Sequence, residues 1–112
     1  MTSALVLFAI AAVGGLILAV VRFRGKPYPP LGLAVVHGLF AAAGLVALIA
    51  GVAQGHAPSR ATIALVLFVI AALGGFVLFF THLRKTALPI GLIVIHALVA
   101  VVAFVILLLS SV

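Results

Sequence analysis

The chain has 112 residues, 69% of them hydrophobic, with six Lys and Arg, no Asp or Glu, and a mean hydropathy of +1.68. A soluble domain carries roughly 25% charged residues; at 5% this chain has too little polar surface to cover a core in water, which excludes a soluble enzyme and predicts one integral membrane domain over residues 1–112. The +6 charge lies at the ends of apolar runs, which excludes nucleic acid and makes the lipid bilayer the first partner, and the absence of cysteine excludes disulfides, thiolate metal sites and covalent haem attachment.

The first apolar run covers residues 4–21. Positive charge follows it instead of preceding it, so it reads as a membrane span and not as a signal peptide. It ends in a basic, proline-rich turn, Arg22-Phe-Arg-Gly-Lys-Pro-Tyr-Pro-Pro30, that no helix can cross. Residues 31–52 form the second run, residues 53–60 a polar loop with turn residues, and residues 63–81 the third run. A second basic turn follows, from His82 through Arg84 and Lys85 to Pro89, and residues 90–109 form the fourth run. Each run is about the twenty residues that a helix needs to cross a bilayer core. Strands are excluded because the runs lack alternation and an open sheet edge cannot face lipid. The predicted fold is all-α: a four-helix transmembrane bundle, up-down-up-down.

The two halves read as an internal repeat of two tandem helical hairpins, residues 4–52 and 63–110. Ala4-Leu-Val-Leu-Phe8 returns as Ala64-Leu-Val-Leu-Phe68, Gly14-Gly15 as Gly74-Gly75, and Arg24 as Arg84. After a one-residue deletion in the turn, Pro30-Leu-Gly-Leu-Ala-Val-Val-His37 returns as Pro89-Ile-Gly-Leu-Ile-Val-Ile-His96. A repeat made of two crossings keeps its orientation, so the halves should be related by an axis along the membrane normal. Arg22, Arg24, Lys26, Arg84 and Lys85 lie on one side and Arg60 alone on the other. That asymmetry predicts a multi-pass protein of the cell inner membrane with cytoplasmic hairpin turns and both termini periplasmic.

His37 and His96 are the ionisable groups expected inside the hydrocarbon, where such residues are functional candidates by default. Each lies about 9 Å below its helix start at 1.5 Å per residue. Two imidazoles at one depth, on helices facing each other across a shared axis, can ligate one metal, and imidazole is a common axial ligand of haem iron. The small residues Ala41, Gly44, Ala100 and Ala103 on the same stripes would leave room for a flat macrocycle. Gly14, Gly15, Gly74 and Gly75, about 12 Å from the turn end by helical rise, would let a porphyrin edge or another helix approach. Arg22, Arg24, Arg84 and Lys85 are placed to meet its propionates.

Other readings stand beside this one. A transmembrane histidine can hold a bundle together by a hydrogen bond across helices, and glycine pairs are a common packing device there. Duplication copies a histidine automatically. Proton, ion or quinone binding is a further use of the pair. His82 reads as a headgroup contact, His56 as a solvated loop residue, and the phenylalanines as lipid-facing or core filler.

In architecture the chain resembles the small four-helix bacterial membrane proteins, and the four-helix b-type cytochromes with histidine pairs buried between helices. The resemblance covers the whole chain as architecture, and His37 and His96 as residues. It implies haem b and electron transport within the membrane, with one haem and not two, because Arg22 stands where the partner of His82 would be. The expected function is a haem-b-binding electron carrier, with a redox partner or larger membrane complex to serve. The alternatives are a non-catalytic accessory or anchor subunit, or a small transporter, which the lack of buried acids disfavours. A homo-oligomer is compatible with each.

Overall fold

The computed structural model describes residues 1–112 and contains four helices and no strands: α1 (Thr2–Phe23), α2 (Leu31–Ala53), α3 (Arg60–Leu83) and α4 (Ile90–Ser110). At 1.5 Å per residue each is about 31 Å or longer, and each is long and apolar enough to cross a membrane. The chain is a multi-pass membrane protein with a four-helix-bundle fold. The helix limits fall within a few residues of those expected from the apolar runs.

The ends of the helices follow from local chemistry. Pro30 and Pro89 stand immediately before α2 and α4 in extended conformation, with φ −56 and −64, where a missing N–H costs nothing. α1 closes on Arg24 and then Gly25 at φ +104, and α2 on Gln54 and then Gly55 at φ +71. Glycine reaches such angles without steric penalty. α3 closes in the same way on Arg84, but the next residue is Lys85 at φ 54, a backbone conformation that disfavours a side chain by about 1–2 kcal/mol.

The helices pack in cyclic order. α1 lies along α2 and α3 along α4 over their lengths; α2·α3 and α1·α4 touch more sparsely; α1 and α3, like α2 and α4, are diagonal. The two basic turns meet: Leu88 N–H donates to Pro27 O at 2.9 Å, and Arg22 Nε donates to Leu88 O at 3.0 Å. Near the other end a core of Ala4, Phe8, Leu48, Ala61, Ala64, Phe68, Ala103 and Leu107 fills the bundle. Only 15 of 112 residues are buried, which leaves most of the apolar surface to lipid and the middle of the bundle hollow.

Candidate functional site

The hollow is a cavity of about 680 Å³ between the two filled ends. Phe8 and Phe68 bound it on the core side, with their rings stacked at 3.8 Å and within 3° of parallel. Pro29, Leu88, Ile93 and His82 bound it on the turn side. Along the seams between hairpins it reaches Leu16 and Val101 on one flank, Leu39 and Phe76 on the other. Those four side chains are exposed, so the cavity opens sideways towards the bilayer.

His37 and His96 both line this cavity. Their ring centroids are 6.4 Å apart and the ring planes cross at 84°. His37 Nδ1–H donates to Ala11 O at 2.7 Å, and His96 Nδ1–H donates to Ala71 O at 2.8 Å. A carbonyl oxygen can only accept, so each Nδ1 carries the proton; in the neutral ring each Nε2 is then a lone-pair acceptor. Neither Nε2 has a hydrogen-bond partner in the chain, and no fully enclosed side-chain polar atom is left unpaired. The two free nitrogens therefore open onto the hollow.

The glycine pairs explain how the imidazoles fit. A Cβ on Gly15 would stand 2.9 Å from His37 Cε1, and one on Gly75 would stand 3.2 Å from His96 Cε1. Gly14 and Gly74 face the histidine Cβ atoms at 3.5 and 3.8 Å. Each ring thus brings its Nδ1–Cε1 edge against the glycine surface of its own hairpin partner helix and reaches a helix carbonyl there. Gly15 and Gly75 also line the cavity, whereas Gly14 and Gly74 do not. The closest neighbour of all four glycines is a histidine of the same hairpin.

The stripe beneath the histidines is only partly open. Ala41 and Ala100 line the cavity. Gly44 and Ala103 are buried in the core instead, and a Cβ on Gly44 would come within 3.0 Å of the Phe8 ring. Phe8 takes the room expected there for a macrocycle.

The basic residues are placed differently from expectation. Arg22 is committed to Leu88 O, and Arg24 and Arg84 are exposed at the C-caps of α1 and α3. None of the three lines the cavity. The residue that does is His82, which is 5% exposed and lies beside Tyr28 with ring centroids 5.3 Å apart. It is a buried wall of the bundle, where an exposed interfacial side chain was expected. The signal for this was the mismatch of Arg22 with His82 between the halves, together with the extra residue in the first turn. His56 is exposed, as its loop position implied.

No group of three or more His, Cys, Asp or Glu side chains converges anywhere in the chain, so the histidine pair is a two-nitrogen donor set. Comparison with protein-family models, with curated proteins and with solved structures gives no significant match.

Proposed function

We propose that this chain is an integral membrane haem-b protein that carries electrons within the bilayer, with His37 and His96 as the axial pair. The observation that carries the reading is the pair of Nε2 acceptors, both without a partner, on one apolar hollow. An unsatisfied polar atom in hydrocarbon is costly, and a ligand between the rings would satisfy both at once.

The fit is supported on three counts. Imidazoles that would share one metal ion through bonds of about 2.0 Å must have their rings close together, and the ring centroids stand 6.4 Å apart. The Nδ1–H bonds to Ala11 and Ala71 orient each ring and raise the basicity of Nε2, as outer partners of metal-binding histidines do. Two protein nitrogens suit a macrocycle that brings its own equatorial ligands better than a bare ion, which needs about four donors. When bound, the haem would supply one-electron redox chemistry. The chain's residues orient the ligand nitrogens, exclude bulk water at the Phe8–Phe68 end, and leave the seams between hairpins open to the bilayer.

Two further parts belong to this reading. The hairpins are copies of one duplicated unit related by rotation about the membrane normal, which sets α2 against α4 across the cavity. The basic turns face the cytoplasm and the termini the periplasm of a bacterial inner membrane, where a redox partner or larger complex exchanges electrons with the protein.

The test is optical. Protein made with ample haem should be red, with a sharp Soret band and the α and β bands of low-spin bis-histidine iron after reduction. His37→Ala and His96→Ala should each abolish or convert that spectrum, and His56→Ala should leave it unchanged. A colourless wild type, or unaltered spectra in both core variants, would sink the proposal. That result would promote the structural reading, in which each histidine only ties its hairpin together through a bond of about 0.6–2 kcal/mol.

A further inference from the structure

A second pocket, of about 260 Å³, lies at the turn end of the bundle, on the far side of His82 and Pro29 from the central cavity. Lys26, Tyr28, Pro29 and Pro30 of the first turn line it, with Leu31 at the start of α2; His82, Leu83 and Lys85 line it from the end of α3. We propose that this pocket binds the phosphodiester headgroup of an anionic membrane lipid.

Three features support a built site. First, His82 is 5% exposed, yet its ring takes no hydrogen bond from the chain. Since no fully enclosed side-chain polar atom is unpaired, its nitrogens are open to the two spaces it lines. Second, Lys26 and Lys85 bring two cations to the same mouth, with the Tyr28 ring against His82, and the chain contains no acid to neutralise them. Lys85 is held there at φ 54, a conformation that glycine would take without strain; the matching place in the first turn is Gly25. Third, the pocket has two chemical sides. Leu31 and Leu83, both exposed and apolar, line it at the helix ends, while the lysines line it from the turns. A phosphate with acyl chains running down the helix surface matches that division; a free phosphate would use only the lysine side.

The site belongs to one hairpin seam only. In the corresponding position of the other seam Arg22 stands in place of His82, and its Nε is taken by Leu88 O. The first turn is one residue longer than the second, and its Tyr28 lines the pocket. One lipid per chain is therefore expected, whether or not haem is bound.

The experiment is native mass spectrometry of delipidated protein in detergent, titrated with phosphatidylglycerol and, separately, phosphatidylcholine. Each basic side chain at a membrane surface contributes roughly a fivefold factor to binding an anionic lipid. Lys26→Gln/Lys85→Gln should therefore bind phosphatidylglycerol about 30-fold more weakly. Arg24→Gln/Arg60→Gln, which removes the same charge from outside the pocket, should change it less than about threefold. Because both lysines are exposed, folding is not at stake in the double variant. His82→Gln should weaken binding as well, and Tyr28→Ala should widen the pocket and weaken it further. Equal loss in the Arg24/Arg60 variant would mean diffuse attraction and would overturn the site. Equal retention of phosphatidylcholine would overturn the anionic preference. Displacement of the lipid by millimolar inorganic phosphate would overturn the lipid assignment in favour of a soluble phosphate.

Discussion

At the scale of single residues, four glycines and two histidines form a graded series. Gly15 lets His37 approach so closely that a methyl group would fall 2.9 Å from Cε1; at Gly75 the gap is 3.2 Å, at Gly14 3.5 Å and at Gly74 3.7 Å. The His37 ring cannot retreat without stretching its 2.7 Å bond to Ala11 O. Gly15→Ala should therefore destabilise by about 1–3 kcal/mol, as overpacking does. Gly75→Ala should cost less, and Gly14→Ala and Gly74→Ala should be nearly neutral. Thermal denaturation in detergent reads the order; equal effects at all four positions would show that the imidazoles are not what the glycines accommodate. On the proposed haem reading the same ladder should appear in haem retention, because the tilt of each imidazole sets the direction of its free nitrogen.

At the scale of elements, the two hairpin turns act as one unit through Leu88. Its N–H is bound to Pro27 O and its carbonyl receives Arg22 Nε, and the side chain between is buried. A hydrogen bond from a charged donor contributes about 1.5–3 kcal/mol when both groups are shielded. Arg22→Gln should lower stability by about 1–2 kcal/mol after discounting for solvent at the interface. Arg24→Gln, one exposed residue beyond the helix, should stay within about 0.5 kcal/mol. Equal losses in the two would assign the effect to turn charge and not to this contact. The helix boundaries themselves were legible in the sequence, because Pro30, Pro89 and Gly25 act locally and need no partner. The approach of the turns was not, since Arg22 reads equally well as a topology signal.

At the scale of the whole molecule, the number of helices and their lengths could be read from apolar runs and counted residues. What each side chain meets across the bundle could not. The helices are apolar on nearly every side, so no amphipathic stripe sets their rotation. Phe8 and Phe68 read in the sequence as lipid-facing or core filler with nothing to decide between them, and they stack at 3.8 Å and close the cavity. Gly44 looks like clearance for a ligand, yet it receives Phe8. His82 looks interfacial because charge follows it, yet it is walled in by Tyr28. Each of these depends on which helix lies opposite, and that is set by packing between hairpins.

The imidazole–carbonyl bonds have a consequence for biogenesis. His37 reaches back to Ala11 and His96 to Ala71, so each bond closes within a pair of neighbouring helices. The first pair can be complete while the second is still leaving the ribosome, and its histidine is held ready before its counterpart exists. Docking of finished pairs, the second stage of membrane folding, then brings the two rings together late. Of the residue 54–59 link only Ala57 packs against the core, while the stacked phenylalanines and the Leu88 bonds lie elsewhere. Residues 1–55 and 56–112 expressed as separate polypeptides should therefore insert independently and co-purify as a one-to-one complex. Should the halves fail to associate while the intact chain is stable, the covalent link would be a required part of assembly and this order of events would be wrong.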